Sequence, residues 1–437
     1  MANFDSDVQD YYSKELKNSD SDLKTRTRVS MPNFIKNIQK DIHPDVQAKY
    51  YGCGLVFPPK LEKCKVLDLG CGSGRDVFIL SRLVGPEGYV VGIDMMKEPI
   101  DVAHRHTDYH MKKFNYKVPN VEFIEGKIEN LTKIGLNENF FDVVVSNCVI
   151  NSTPDKKVVF DEAWKVLKPG GEFYLCDVYA DQMLPDELRT NKVLREQCLA
   201  GAIKWEDLIL HATEAGFTQP RLITAKPIDI TDPDIEKLVG DIRFVTATFR
   251  LFKIPMNEDE LDIPYLLTYE GEIPGFESAF SFDNTITFKR GEMVSCGPTL
   301  ASAILYSRYK DNFGFEPIDN TKHFDGTVVV VEEQETLFRD DGVTETTQHS
   351  YIITEYDDDV ADKRHSKSSS VTTDNSTTEP SLPNFISTWN GGYSIFFVRV
   401  GSRTYKHRTD QIMETINTFS AYNKKINKVP TAAPAVL

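Results

Sequence analysis

The sequence predicts an α/β protein built on a doubly wound, Rossmann-like sheet, and three observations support this prediction. Apolar segments of strand length alternate with helical segments from about residue 66 to residue 252. The first apolar segment, 66–69, runs directly into a glycine-rich loop. The second, 89–94, ends in an acid. In doubly wound folds, such a loop and such an acid form two sides of a nucleotide site.

The glycine loop places Gly70, Gly72 and Gly74 between a strand and a helix whose apolar spacing begins at Val77. Glycine permits positive φ angles and a close approach of the backbone to a bound cofactor. Strand, loop and helix therefore match the first half of a nucleotide-type βαβ unit. Taken alone, the loop is also compatible with a tight structural turn.

The remaining elements follow in order. Strands are predicted at 89–94, 121–126, 141–147, 172–178, 221–230 and 244–252. Helices are predicted at 156–167, 188–199 and 205–216, and a further helix is predicted to begin near Pro99. The turn Lys168-Pro169-Gly170-Gly171 ends one of these helices. Ligands collect at the carboxyl ends of strands in such sheets, so Asp94 is expected to meet ribose hydroxyls and Cys148 is expected near the cofactor.

Composition outside the sheet suggests further divisions of the chain. Residues 1–50 read as a polar N-terminal arm, 51–253 as the main domain, and 254–318, with short segments rich in Pro and Gly, as a small α+β or β-rich module. A β-rich extension follows at 319–437, and its Ser/Thr-rich stretch near 362–380 is expected to be disordered.

The overall charge and hydropathy exclude several classes of partner. The 437 residues are 40% hydrophobic and carry a formal net charge of −16, which disfavours a nucleic-acid backbone or an anionic membrane surface. No apolar run approaches the roughly 20 residues of a membrane span. The first residues have neither the basic nor the apolar region of a signal peptide, so a cytoplasmic protein is expected.

Cysteine and histidine spacing suggests no zinc site. The seven cysteines are scattered and include no C-x-x-C pair, which indicates neither a disulfide framework nor a structural zinc site. His104, His106 and His110 share a predicted helix, but no acid completes a zincin motif. A solvated helix face is therefore the expectation for these histidines.

Several segments together resemble a known family. The glycine loop, Asp94 and the Lys168-Pro169-Gly170-Gly171 turn resemble class I S-adenosylmethionine-dependent methyltransferases, whereas dinucleotide oxidoreductases need G-x-G-x-x-G, which this loop lacks. A more specific resemblance, over about residues 8–318, is to arsenite methyltransferases. The segments that carry it are Tyr50-Tyr51-Gly52-Cys53-Gly54, Gly72-Ser73-Gly74-Arg75-Asp76, residues 145–151, Asp177-Val178-Tyr179, residues 198–202 and residues 243–252.

The resemblance implies a site for arsenic and a redox cycle. Cysteines that match Cys53, Cys148 and Cys198 bind arsenic in that family, and all three are present. Trivalent arsenic is soft and prefers thiolates, and its lone pair would attack the sulfonium methyl without a general base. Cys53, between two glycines, would add a thiolate or reduce the product by forming a disulfide. Implied partners are arsenite or its glutathione conjugate and a thiol reductant, thioredoxin or glutathione.

The resemblance also implies S-adenosylmethionine as cofactor and assigns its contacts. Ile128 and Glu129 are expected at the adenine end of the cofactor, and Asn147 at its methionine end. The backbone and ribose contacts are expected from Tyr51, Asp68, Gly70, Gly72, Gly74, Asp94 and Met95. Ile128 is equally compatible with simple core packing.

Two departures and two alternatives remain. Many members have a further cysteine in the arm, but residues 23–29 contain none, and the extension from residue 319 resembles no known segment. Packing roles are expected for Cys64, Cys71, Cys176 and Cys296. One alternative is a C- or O-methyltransferase for a quinone or sterol, which would need no cysteine trio. The other is a non-catalytic thiol protein that binds arsenite, a role that leaves the cofactor loop without use.

Overall fold

The computed structural model describes residues 31–48, 52–254 and 264–318, together with five strands beyond residue 318. An eight-stranded mixed sheet, with the order β3-β2-β1-β4-β5-β8-β7 and with β6 beside β5, forms the centre of this part of the chain. Its strands are β1 (Lys65–Leu69), β2 (Tyr89–Asp94), β3 (Val121–Glu125), β4 (Phe141–Asn147), β5 (Leu167–Ala180), β6 (Ile203–Lys204), β7 (Arg221–Pro227) and β8 (Phe244–Phe252).

Strands β1 to β5 pair in parallel, and β8 pairs antiparallel with both β5 and β7. The order reverses direction at β1, between β2 and β4, which is the topological switch point where α/β sheets bind ligands. The predicted α/β, doubly wound fold class is confirmed.

Helices cover both faces of the sheet. Their bounds are α1 (Asn33–Gln39), α2 (Pro44–Gln47), α3 (Arg75–Val84), α4 (Lys97–Phe114), α5 (Lys156–Val166), α6 (Asp186–Arg189), α7 (Lys192–Glu196), α8 (Trp205–Ala215), α9 (Pro233–Val239) and α10 (Pro298–Leu305). Side chains alternate across a strand, so Val66 lies in the core with Phe78 of α3, and Leu67 lies in the opposite core with Phe160 of α5. Both faces are therefore apolar, as a sheet between two helix layers requires.

The part of the N-terminal arm that is described packs onto this domain. Ile35, Ile42 and Val46 are buried in the same core as α3 and α4. The backbone N–H of His43 donates to Nε2 of His110 at 3.1 Å. Apolar burial and this partly buried hydrogen bond therefore hold the arm against α4.

The expectation that the α4 histidines form a solvated face is wrong for two of them. His110 is fully buried and stacks on Phe78 with ring centroids 3.7 Å apart. His106 is half-buried, and its Nε2 lies 3.1 Å from a carboxylate oxygen of Asp45. The arm covers these side chains, and helical spacing alone could not show that cover.

The predicted helix through 188–199 is interrupted. Helices α6 and α7 are short, and α7 ends before Cys198, which has φ +59°. Beyond it, the Leu199 N–H donates to the Leu194 carbonyl at 2.9 Å. Helices commonly end with a residue in the left-handed conformation followed by such a hydrogen bond. Cys198 therefore lies beyond the C-terminus of α7 and not within a helix.

Residues 264–318 form a smaller unit with its own aromatic core. Its strands are β9 (Tyr265–Tyr269), β10 (Ala279–Ser281), β11 (Thr287–Lys289), β12 (Met293–Cys296) and β13 (Phe313–Pro317), arranged as the antiparallel sheet β12-β9-β13 and the hairpin β10-β11. A buried ion-pair network ties it to β5, where Glu172 meets Arg250 at 2.7 Å and Arg308 at 2.5 Å.

Further sheets are described beyond residue 318. β14 (Val328–Phe338) and β15 (Thr344–Ile353) form a two-stranded sheet, and β16 (Ile386–Trp389), β17 (Ser394–Val400) and β18 (Arg403–Arg408) form an antiparallel three-stranded sheet. The Ser/Thr-rich stretch predicted to be disordered lies outside the described residues. The predicted domain boundaries stay predictions.

Candidate active site

The glycine loop combines two kinds of glycine. Gly70, Gly72 and Gly74 have φ angles of +72°, +53° and +84°. A Cβ at Gly70 would lie 2.5 Å from Val149, and a Cβ at Gly74 would lie 2.6 Å from Phe123, whereas a Cβ at Gly72 would meet no atom within 4 Å. The outer glycines thus allow close packing, and the middle one presents its backbone to open space, as a cofactor cradle requires.

Asp94 is held in a defined orientation at the end of β2. One carboxylate oxygen accepts the Gly72 N–H at 2.9 Å, and the other accepts the Met96 N–H at 2.8 Å. Burial raises the pKa of this carboxyl group, and the two N–H donors oppose the rise. Each oxygen keeps a further lone pair, so the group has the capacity to accept two vicinal ribose hydroxyls.

A second carboxyl group lies deeper, at the end of β1. Asp68 is only 2% exposed, and burial raises its pKa well above the usual range, with Asp76 and Asp94 adding to the rise. Arg75 lies 3.6 Å from Asp76 and offsets its charge, whereas Asp68 and Asp94 have no such partner among the ion pairs described. A cationic ligand would favour the ionised form of these carboxyl groups. The ammonium and sulfonium groups of S-adenosylmethionine provide such charge, so the residues present fit this cofactor.

The structure brings the three predicted cysteines together at the carboxyl ends of the central strands. A disulfide joins Cys53 to Cys148, whose Cα atoms are 5.9 Å apart. Cys53 and Cys198 both pack against the buried cluster that contains Cys148. The expectation that the cysteines form no disulfide framework missed this bond, because residues 95 positions apart meet only through the fold.

Two of these cysteines have an unusual backbone conformation. Cys148 has φ +60° and Cys198 has φ +59°, in the left-handed region that side chains other than glycine seldom adopt. Such conformations persist where the surrounding structure enforces them, and they cluster at functional sites. Cys148 lies in the turn that follows β4, and Cys198 lies in the turn that follows α7.

The Asn147 side chain fastens the loop that carries Cys53. Its Oδ1 accepts the N–H groups of Cys53 at 3.1 Å and Gly54 at 3.3 Å, and its Nδ2 donates to the Gly54 carbonyl at 3.1 Å and to Asp76 at 3.2 Å. The described contacts of this amide are therefore with the protein itself. The predicted methionine-end contact stays a prediction.

Asp177 sets the electrostatics beside the third cysteine. Burial raises the pKa of Asp177 to about 6, although the N–H groups of Val178, at 2.9 Å, and Asn151, at 3.1 Å, stabilise its anion. Burial, followed by the charge of Asp177, raises the pKa of Cys198 to about 12. The Cys198 side chain is therefore a neutral thiol at neutral pH.

Three other predicted cofactor residues, Met95, Ile128 and Glu129, follow the ends of β2 and β3. Met95 follows Asp94 directly and is half-buried, as is Glu129. Ile128 is 4% exposed and packs into the core beneath the sheet. Tyr51 lies outside the described residues. The predicted cofactor contacts of these residues stay predictions.

Sequence reasoning missed Cys176, Asp76 and Asp177 as members of this region. Cys176 was expected only to pack, yet its sulfur lies 3.5 Å from that of Cys53. The signal was present in the sheet order, since β5 pairs with β4 and Asn147 is in register with Cys176. Residues that end neighbouring parallel strands belong to one edge, so Cys176 and Asp177 share the edge of Cys148.

Comparisons with known proteins agree with this geometry. Residues 60–216 match a family described as "Methyltransferase domain", and residues 263–350 match one described as "Arsenite methyltransferase C-terminal domain". The second match passes residue 319, so the expectation that the extension resembles no known segment is wrong for residues 319–350. The arsenite methyltransferase of Homo sapiens is 46% identical over 321 residues, which is 72% of this chain and 85% of that protein. That of Aquipseudomonas alcaligenes is 46% identical over 322 residues, 72% of this chain and 92% of that protein.

The chain belongs to the arsenite methyltransferase family.

A solved structure supports the same assignment. The crystal structure of CrArsM, an arsenic(III) S-adenosylmethionine methyltransferase from Chlamydomonas reinhardtii, is 38% identical, with a TM-score of 0.64 over 68% of this chain and 99% of that one. As a member of this family, the protein is a methyltransferase enzyme whose cofactor is S-adenosylmethionine, and both predictions are confirmed. The quinone or sterol alternative is not favoured, and the non-catalytic alternative is set aside. Among the described helices, none is long and apolar enough to cross a membrane.

Proposed function

We propose that the protein methylates arsenite that is held by Cys53, Cys148 and Cys198. The observation that carries this proposal is the convergence of these cysteines beside the cofactor loop. Val149, which follows Cys148, packs so tightly on Gly70 that a Cβ there would lie 2.5 Å from its side chain. The cysteine site and the glycine loop are therefore adjacent, which suits direct transfer of a methyl group from the cofactor to arsenic.

The binding step follows from the state of the thiols. Burial keeps Cys198 protonated at neutral pH. Arsenite brings hydroxide groups on arsenic, so each thiol that replaces a hydroxide passes its proton to it and releases water. No separate base is needed, and the soft arsenic atom gains the sulfur ligands that it prefers.

The transfer step depends mainly on position. S-adenosylmethionine supplies an electrophilic methyl group. Arsenic held at the ends of β4 and α7 keeps one lone pair, and that pair has no proton to lose before it reacts. The residues of the chain orient the arsenic, and the cluster of Leu184, Leu188 and Val178 around Cys148 excludes water from it.

The Cys53–Cys148 disulfide supports a redox role for the same thiols. Methyl transfer uses the arsenic lone pair and leaves arsenic in the pentavalent state. Two thiolate ligands that join as a disulfide return two electrons and restore trivalent arsenic. We propose that Cys53 and Cys148 form this disulfide and that glutathione or thioredoxin then reduces it. A glutathione conjugate of arsenite as the delivered substrate, and a cytoplasmic location, belong to the same proposal.

The cofactor assignment extends to individual residues. We infer that Gly72 and Asp94 bind the ribose side, that Asp68 lies near the charged end, and that Asn147 positions Cys53 and the loop around it. Met95, Ile128, Glu129 and Tyr51 complete the proposed adenosine site. The open space at Gly72 and the two free acceptor positions of Asp94 support this arrangement.

Product analysis tests the proposal directly. The full-length protein, incubated with S-adenosylmethionine, arsenite and excess thiol, is expected to form methylated arsenic, detected by chromatography with an arsenic-specific detector. Cys148→Ser and Cys198→Ser should reduce both arsenite binding and turnover more than a hundredfold, because a soft ligand is lost. The buried Cys64 provides the matched control, and Cys64→Ser should retain activity. Absence of product from the wild type, or equal loss in all three variants, would contradict the proposal.

A further inference from the structure

Cys176 is a buried thiol that none of the steps above uses. It lies on β5 with no exposed surface, and its sulfur is 3.5 Å from Cys53 Sγ, which is also bonded to Cys148 Sγ. A distance of 3.5 Å is close to van der Waals contact between sulfur atoms, so Cys53 has two sulfur neighbours, one bonded and one in contact. This is the arrangement from which a thiol attacks a disulfide.

The surrounding residues maintain this contact. Gly54, next to Cys53, lies so close that a Cβ at this position would be 2.2 Å from Cys176 Sγ. Asn147 holds the backbone of Cys53 and Gly54 by three hydrogen bonds. Glycine at position 54 therefore lets the loop lie directly on Cys176, and Asn147 keeps it there.

We propose that Cys176 exchanges with the Cys53–Cys148 disulfide and thereby returns Cys148 to its thiol form inside the site. The thiolate of Cys176 attacks Cys53 Sγ and forms a Cys53–Cys176 disulfide. The Cys53–Cys148 bond breaks, and its electron pair leaves with Cys148 Sγ, which takes up the proton that Cys176 lost. One disulfide replaces another, so this step needs neither an oxidant nor a reductant.

The exchange changes which part of the site is oxidised. Cys148 regains its thiol beside Cys198, and the two are again able to bind arsenic. The new disulfide lies in the loop, where half-buried Cys53 remains open to a small thiol or to thioredoxin, which supplies the two electrons for its reduction. The role in turnover rests on the proposed function, whereas the exchange itself needs no arsenic.

The environment of Cys176 makes the step dependent on pH. Burial raises the pKa of Cys176 to about 12; a hydrogen bond from Thr248 opposes the rise, and the charge of Asp177 adds to it. Few molecules carry the thiolate at neutral pH, but a thiolate of high pKa is a strong nucleophile, and the target sulfur is already in contact. We expect the exchange rate to increase about tenfold for each pH unit between roughly 7 and 9, as the thiolate fraction does.

Disulfide mapping tests the exchange without arsenic or cofactor. The full-length Cys148→Ser variant is reduced, treated with one equivalent of diamide, quenched with acid, denatured, alkylated and mapped by mass spectrometry of its peptides. The expected main product is a Cys53–Cys176 disulfide. A free Cys53, or a bond from Cys53 to any other cysteine, would overturn the proposal. If this variant does not fold, the wild type in a glutathione redox buffer decides, and absence of the Cys53–Cys176 pair there overturns it equally.

Kinetics test the role in turnover. Starting from fully reduced enzyme, Cys176→Ser should leave the first turnover unchanged and lower the steady-state rate about tenfold. Cys64→Ser is the matched control, since Cys64 is also a buried free thiol, and its Sγ lies 3.7 Å from the Lys60 carbonyl oxygen, away from the disulfide. Equal steady-state rates would remove Cys176 from the cycle. A wild type that forms no methylated product would instead refute the proposed function, and the disulfide map would still decide the exchange.

Discussion

Gly70 and Gly72 have similar left-handed conformations but different surroundings, and this difference separates stability from binding. Either residue changed to alanine should lose about 1 to 2 kcal/mol from the left-handed backbone. Gly70→Ala also forces a Cβ into Val149, so its loss in urea unfolding should be clearly larger. Gly72→Ala places its Cβ in open space and should instead weaken S-adenosylmethionine binding at least tenfold, measured by calorimetry. Unchanged cofactor affinity in Gly72→Ala would argue against the cradle.

Asp94 offers a second test at the residue scale. Asp94→Ala removes the carboxylate that organises the Gly72 and Met96 N–H groups, so cofactor affinity should fall by about 10- to 100-fold. Arsenite affinity should not change, because the three cysteines lie in a loop and in the turns after β4 and α7, not at the end of β2. Separate titrations with cofactor and with arsenite give both values, and an equal loss of both would indicate misfolding.

At the scale of elements, the contact between the arm and α4 should depend on pH. Burial lowers the pKa of His110 to about 4, with His106 and His43 nearby adding to the charge penalty. The unfolded chain binds this proton near pH 6.5 and the folded protein does not, so the free energy of unfolding should fall as pH decreases from about 6.5 to 4, by about 2 to 3 kcal/mol. Full stability should be present above pH 6.5.

The control for this effect lies on the same helix. Urea unfolding at several pH values, compared between wild type and His110→Gln, should show a smaller loss in the variant over that window. Exposed His104, changed to Gln, should retain the wild-type dependence. A His110→Gln variant with an unchanged pH slope would show that other groups cause the loss.

A buried ion-pair network around Glu172 joins residues 264–318 to the sheet. Both guanidinium groups that Glu172 pairs with are largely buried, so Glu172→Gln would leave two charges without their counter-ion. Breaking a buried pair costs about 3 to 5 kcal/mol, which urea unfolding would detect. The exposed pair of Lys289 and Glu292 is the matched control, and Glu292→Gln should change stability by less than about 1 kcal/mol. Similar effects in both variants would show that the network is not buried in solution.

At the scale of the whole molecule, the same network predicts cooperative unfolding of residues 264–318 with the sheet. Arg250 of β8 donates to the Phe282 carbonyl at 2.7 Å and to the Tyr309 hydroxyl at 2.8 Å. These bonds connect the sheet to residues 264–318, so each part stabilises the other. Hydrogen exchange in increasing denaturant should release β8 and β9 together. Earlier exchange in β9 would show that this unit opens independently.

Much of the fold and part of the site could be predicted from local patterns. The strand–loop–helix segment at Gly70 to Gly74, the acid at the end of β2 and the helix end before Lys168 are encoded within a few residues, and the structure has each of them. The turn predicted at 168–171 is wrong, because β5 already begins at Leu167, where it pairs with Phe141 of β4.

The three site cysteines came from a resemblance, and their role in arsenic binding stays a prediction. His110 was misjudged because the N-terminal arm that covers it is distant in sequence. Cys176 packs in the core as expected, but its contact with Cys53 could not be predicted from local patterns.

The sequence by itself determined that the chain forms a doubly wound sheet with a nucleotide-type glycine loop, since periodicity and glycine placement are local properties. The methyl donor came from the resemblance to a known family. Only the tertiary structure decided which sulfur atoms meet. Cys53, Cys148 and Cys176 come from a loop and two strands, and their contacts depend on strand order, register and the missing side chain of Gly54. Burial then sets the pKa of each thiol, because desolvation depends on all surrounding residues and not on neighbours in the chain.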